Sequence, residues 1–124
     1  MSQSFEPSAL ELLRAEEEVE IETSAGETGP MHRTIIWVVV DDQDRVLIRS
    51  YRGAGARWFR EITAQPEGRV HVHGHAVPVR AVAATDPDRV TACSDGLRSK
   101  YAGHSSMPFM LNNYLETTLE LLPR

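Results

Sequence analysis

Three guanidinium groups, a hydroxyl and two glycines fall within one short segment, IRSYRGAGARWF, residues 48–59. Arg49, Arg52 and Arg57 carry the charge, with Arg60 just beyond; Ser50 carries the hydroxyl; Gly53 and Gly55 free the backbone. Binding a phosphate takes convergent donors of this kind: backbone N–H groups in a tight turn or at a helix start, joined by guanidinium or hydroxyl groups. The N–H groups of Ala56, Arg57 and Trp58 would open a short helix, and glycine lets a backbone approach a ligand closely. Strand alternation sets Ser50 on one face with Val46 and Ile48 and turns Arg49 to the other. Arg52 and Arg57 are near enough to converge, but not every arginine here can meet one ligand. Pattern alone serves an anion site and a solvated basic loop equally well.

Other chemistry is less well supported. In HVHGH, His71, His73 and His75 would share a face only on a continuous strand. A turn at His73-Gly74 instead sends His71 and His75 to separate strands, with Val72 opposite His75. No acid or cysteine at ligand spacing joins them, and His32 and His104 are distant in sequence, so no native metal is expected. Cys93 falls on the apolar stripe of a helix and reads as core. Neither a Gly-x-Ser-x-Gly elbow, a P-loop nor a dinucleotide fingerprint occurs.

The elements that must position these residues belong to a chain of 124 residues, read as one domain over 1–124 with an N-terminal helical segment over 1–17. A formal charge of -5 argues against non-specific nucleic-acid binding. The acid crowds into Glu6–Glu27, where RAEEEVEIE reads as a solvated helix end. One cysteine allows no internal disulfide. The start shows no secretory signal and Ile35–Val40 is too short to span a bilayer, so a cytoplasmic protein without membrane or nucleic-acid partners is expected. Ser8 and Glu11 form a capping-box pattern for a helix near residues 7–17. VEIET alternates as a strand, RTIIWVVV reads as a strand buried on both faces, and DDQD returns it into RVLIRSY. RWFREITAQ reads as a short helix, and RVHV and HAVPVRAVAA as a hairpin. Asp86-Pro87 starts a helix carrying Val90, Cys93, Leu97 and Tyr101. SMPFMLNNY reads as irregular and ETTLELLP as a strand. The fold class is α+β, mainly β: an antiparallel barrel of about six strands with two or three flanking helices.

The run from Val46 to Ala84 resembles the split-barrel flavin- and deazaflavin-binding proteins, the pyridoxamine-phosphate-oxidase-like superfamily. Ser50, Gly53, Trp58, Phe59, Gln65, Pro66 and Ala81 match the deazaflavin-dependent nitroreductase branch. HRTIIWVVV, RSYRG…RW and a terminal TTLELLP more closely resemble a small bacterial family of unassigned function. The resemblance implies a split antiparallel β-barrel and an FMN- or deazaflavin-dependent oxidoreductase acting on a small molecule. The coenzyme's phosphate would lie against Ser50, Arg52, Gly53, Gly55, Arg57 and Trp58, with Thr28 and Arg33 completing the cradle, and His32 an alternative to Arg33. Tyr51, Tyr101 or Trp37 would serve as donors near the acceptor. FMN-binding relatives usually build the site across a homodimer, whereas deazaflavin relatives often do not. One position departs from the pattern: Gly26 stands where the relatives carry arginine. That departure motivates a second reading, a coenzyme-free binding protein, or a cofactor-independent enzyme of secondary metabolism, whose arginine loop holds an anionic small molecule.

Overall fold

The computed structural model describes residues 4–124; residues 1–3 of the expected N-terminal segment lie outside the described residues. The elements are α1 (Pro7–Ala15), β1 (Glu18–Ser24), β2 (Met31–Trp37), β3 (Val39–Val40), β4 (Val46–Ile48), α2 (Arg57–Ala64), β5 (Glu67–Val72), β6 (His75–Ala83), α3 (Pro87–Lys100), α4 (Met107–Asn112) and β7 (Leu119–Pro123). All the strands join one antiparallel sheet in the order β2-β1-β5-β6-β7-β4-β3. The two end members of that order, β2 and β3, are separated in the chain by Val38 alone. The sheet must therefore curl until its ends meet, and the result is a split barrel.

RTIIWVVV is thus two strands, not one buried on both faces. Met31, Arg33 and Ile35 of β2 face solvent, with Ile35 60% exposed. Burial on both faces begins only at Val38 and holds through β3 and β4. Val38, Val46 and Ile48 join the barrel core with Val19, Ile21, Val70 and Val79, while Val39 and Leu47 join a second cluster under α3 and α4. The side chains of a strand alternate, so β4 serves both cores with a single three-residue run.

The break at Val38 is held from outside the sheet. The Val38 N–H donates to the Tyr101 hydroxyl (3.1 Å), and that hydroxyl directs its one proton to the carbonyl of Glu17 (2.5 Å), with the Val38 carbonyl 3.2 Å away. The Lys100 amine donates to the Val38 carbonyl (2.9 Å) and to that of Leu13 (2.7 Å), in the last turn of α1. The end of α3 thereby satisfies the backbone groups that the change of strand leaves without ladder partners.

α1 begins one residue before the expected cap. Glu6 is the N-cap with Pro7 in the first turn, and Ser8 does not cap. The helix also stops at Ala15, so the acidic run is not a solvated helix end: Glu18–Glu22 belong to β1, and Glu22 is 7% exposed. α3 starts as its sequence dictates, with the Asp86 carboxylate accepting from the Arg89 N–H (3.1 Å) and Pro87 following. That hydrogen bond, with the Arg89 guanidinium behind it, holds the Asp86 carboxyl below its usual range. SMPFMLNNY is helical rather than irregular over Met107–Asn112. Met107, Met110 and Leu111 pack it into the second cluster. No described helix is long and apolar enough to cross a membrane.

Candidate functional site: an arginine-lined cavity

The sequence after β4 cannot continue the sheet. Gly53 takes φ +81°, and a short 3-10 turn at Gly53–Gly55 leads into α2. A Cβ at Gly53 would stand 2.8 Å from the Tyr114 ring. Gly53→Ala is therefore expected to destabilise the fold by about 1–2 kcal/mol, from the left-handed backbone alone, and more if Tyr114 cannot move. Urea denaturation reads this directly, and an unchanged midpoint would refute it.

α2 follows with Trp58 and Ile62 buried one turn apart, as expected. No side chain caps its N-terminus. The free N–H groups of that first turn carry the positive end of the helix dipole. They open onto a cavity of about 1160 Å³. Gly55, Ala56, Arg57 and Trp58 form one wall with Arg52 and Tyr51, and Ile35, Ile36 and Trp37 of β2 form another. Trp37 is backed by Tyr101 in a parallel stack, 4.0 Å between centroids.

The charge is uneven. Arg52 and Arg57 are exposed and form no salt bridge among the described residues. Arg33 also lines the cavity but lies 3.7 Å from Glu20 and 3.6 Å from Glu22. Glu22 gathers Arg33, Arg69 (3.4 Å) and His71 (2.7 Å) from the strands on either side. Glu18 and Glu20 line the same end. The cavity thus has an acidic end at β1–β2 and a cationic end at the start of α2.

Of the residues expected to hold an anion, Arg33, Arg52, Gly55, Arg57 and Trp58 come together here, with Tyr51. Ser50 does not line the cavity. It is fully buried, its hydroxyl donates to the Gly53 carbonyl (2.7 Å), and its N–H donates to the Thr117 hydroxyl (3.0 Å). Gly53 is buried beneath Tyr114, and Thr28 is exposed in the β1–β2 turn, away from the cavity walls. In that turn Gly26 adopts φ +153°, a conformation an arginine would enter only under strain. Tyr101 is buried behind Trp37, and burial pushes its phenol up to about 12.

Sequence reading separated Arg49 from Ser50 correctly but put the wrong one at the cavity. Arg49 lines the wall while only 2% exposed. Its Nε donates to the Thr118 hydroxyl (2.9 Å), and its terminal nitrogens donate to the Ser94 hydroxyl (3.1 Å) and to the carbonyls of Met110 (3.0 Å) and Val90 (3.1 Å). Desolvation holds this guanidinium below its usual range, with no carboxylate beside it among the described residues. Its shared parity with Leu47, which packs under α3, was the signal. His104, Ser106 and Met110 at the cavity were missed, because the segment after α3 gave no cue to its helix.

A second polar cluster, also unanticipated, lies beside the start of α2. Glu61 accepts from the Thr23 hydroxyl (2.7 Å) and sits 3.0 Å from His32 Nδ1. Burial raises the Glu61 carboxyl, but hydrogen bonds from Thr23 and His32 outweigh it and hold the group below its usual range. Cys93 is buried, and desolvation pushes its thiol up to about 11. His71 and His75 occupy different strands, with Val72 opposite His75.

A curled antiparallel sheet flanked by four helices, with a cavity against its first hairpin, is a split-barrel architecture. The chain belongs to the bacterial family described as "Uncharacterized protein conserved in bacteria (DUF2255)", which matches residues 9–121. No curated protein matches the chain. Solved structures share its fold at low identity. A conserved hypothetical protein of Mycobacterium tuberculosis superposes with a TM-score of 0.71 at 13% identity, covering 99% of this chain and 82% of that one. HutZ, the haem storage protein of Vibrio cholerae, gives 0.66 at 12%, covering 98% and 92%. An F420-H2 dependent reductase gives 0.62 at 12%, covering 86% and 93%.

Proposed function

We propose that the cavity holds a phosphate-bearing coenzyme of the flavin or deazaflavin type, and that the protein is an oxidoreductase-like member of its superfamily. The observation that carries this reading is the pair Arg52 and Arg57, two cations that form no salt bridge among the described residues and flank an uncapped helix start. Phosphate suits that end, because Glu18 and Glu20 would repel it from the other. A ring system suits the wall of Ile35, Ile36 and Trp37. When bound, such a coenzyme carries the hydride, and the protein's share is orientation and exclusion of water. The fold relation to an F420-H2 dependent reductase supports the reading.

Titration of FMN and of the deazaflavin coenzyme, followed by fluorescence, tests it. Arg52→Ala and Arg57→Ala should each weaken binding by about 10- to 100-fold, since charge-assisted bonds are worth roughly 1.5–3 kcal/mol. Both side chains are exposed, so stability should change by less than about 0.5 kcal/mol. No binding of either coenzyme at about a hundred micromolar would refute the proposal, since that corresponds to under roughly 5.5 kcal/mol of affinity. Haem belongs in the same titration, because one protein of this fold stores it.

A second reading rests on Gly26 and Arg33. Gly26 supplies no guanidinium where split-barrel relatives have one, and Arg33 is already drawn to Glu20 and Glu22. In that reading the cavity takes an anionic metabolite without a coenzyme. A thermal-shift screen separates the two, because a ligand stabilises the state that binds it. Stabilisation by organic acids or phosphates but not by flavins favours the second.

A further inference from the structure

The chain contains 2 Trp, 3 Tyr and 3 Phe. Tyr51, Phe109 and Tyr114, three of these eight, stand exposed side by side at 50%, 38% and 40%. Their rings are in contact, with centroids 4.9 Å apart for Tyr51–Phe109 and 6.0 Å for Phe109–Tyr114. A single exposed apolar side chain needs no explanation, but a contiguous group does. Tyr51 lines the cavity, and so does Met110, next to Phe109 on α4. Of the three rings only Tyr51 lines the cavity, and the ring contacts carry the group from there onto the adjoining surface.

The backbone supports that group at a cost. Tyr114 is left-handed (φ 56°, ψ 36°), an outlying conformation for a bulky side chain. It is held there because both the N–H (2.9 Å) and the hydroxyl (2.6 Å) of Thr117 donate to its carbonyl. The ring that results covers Gly53 and still shows 40% of its surface to water. Strain retained to fix an exposed ring points to use of the ring. Arg52, between Tyr51 and the covered Gly53 in the chain, lines the cavity and forms no salt bridge among the described residues.

We propose that Tyr51, Phe109 and Tyr114 form a stacking subsite for the aromatic ring of a small planar acid, whose carboxylate faces Arg52. The inference rests on the reading of the cavity as a ligand site, but not on which coenzyme fills it. The occupant is a small molecule rather than a protein. Three side chains fall far short of the roughly 800 Å² that each partner of a stable protein complex buries, whereas stacking plus one guanidinium matches an aryl carboxylate.

The test uses 2-naphthoate as probe, with 2-naphthol lacking the charge and cyclohexanecarboxylate lacking the aromatic face, each titrated by calorimetry. 2-Naphthoate should bind about tenfold tighter than either, the scale of one stacked ring or one charged contact. Phe109→Ala and Tyr114→Gly should each remove most of that advantage. Tyr114→Gly should leave the melting temperature unchanged or raised, because glycine relieves the left-handed strain. Equal affinity for cyclohexanecarboxylate, or a Tyr114→Gly protein that melts lower yet binds 2-naphthoate normally, overturns the proposal. So does self-association that Phe109→Ala abolishes while 2-naphthoate binding is unchanged. Failure of the flavin titrations with 2-naphthoate binding intact removes only the coenzyme. Flavin binding with 2-naphthoate indifferent to these variants removes only the stacking subsite.

Discussion

Arg49→Ala is expected to destabilise the protein by about 3–5 kcal/mol, the largest loss of any arginine substitution in this chain. Two effects add. The truncated side chain leaves a gap between β4, α3 and α4. The buried Met110 carbonyl also loses its donor, and α3 loses its tie to α4, although the Val90 carbonyl keeps its helical partner. The Thr118 and Ser94 hydroxyls can turn to other partners, but a buried carbonyl without a donor costs about 1–3 kcal/mol. Arg49→Lys should recover less than half of the loss, because one ammonium cannot span acceptors on two helices and a strand. Arg49→Met divides the explanation further. It keeps the stem, removes the donors and also removes a buried cation that has no counter-ion among the described residues. If chemical denaturation finds Arg49→Met as stable as the parent, the guanidinium is not needed to hold the helices and the first estimate fails. Arg52→Ala, changed on the same loop but in an exposed residue, is the matched control.

The contrast between Arg49 and Arg52 also marks how far the sequence could be read. Alternation along Val46–Ser50 separated Arg49 from Ser50, and β4 obeys it: Val46 and Ile48 face the barrel, Leu47 the helices. Alternation says which residues share a face, however, and not what covers that face. The covering element was α4, and Pro108 followed by Asn112-Asn113 disguised its six residues as a loop. Six residues are too few to show helical periodicity, and α4 is fixed by Met107, Met110 and Leu111 packing under α3. The split of RTIIWVVV was hidden for a related reason. Its apolar run is continuous, but Ile35 is exposed on β2 while Val39 is buried against α3. Only long-range pairing, β2 with β1 and β3 with β4, separates them. By contrast Asp86-Pro87, His73-Gly74 and Trp58…Ile62 were legible because capping, a two-residue turn and one helical turn are local chemistry. The cationic end of the cavity was legible in the same way, as a glycine turn running into a helix start. Its acidic end was not, since Glu18 and Glu20 reach it only through the β1–β2 pairing.

Tyr101→Phe should cost about 2–3 kcal/mol, although it removes a single oxygen from a helix end. That oxygen accepts from the Val38 N–H and donates its one proton to the Glu17 carbonyl. Val38 is 1% exposed, and without the phenol its N–H has neither water nor ladder partner. The Val38 carbonyl is spared, because the Lys100 amine also donates to it. The pH dependence gives a second reading of the same bond. Burial raises the Tyr101 phenol from 10.0 to about 12 in the folded protein. A group whose proton is held more tightly when folded stabilises fully below its unfolded value and less as pH climbs through its folded value. The stability difference between parent and Tyr101→Phe should therefore be flat below pH 10 and shrink between pH 10 and 12. Lys100 acts in the opposite sense. Desolvation lowers its amine from 10.5 to about 8, so its burial opposes folding at neutral pH and the opposition fades between pH 8 and 10.5. Burial likewise moves Cys93 from 9.0 to about 11, which weakens the fold between those values. Both contributions are common to the two proteins and cancel in their difference. Urea titrations of the pair at stepped pH measure it. A difference that widens above pH 10 would show that the phenol does not hold the strand change at Val38.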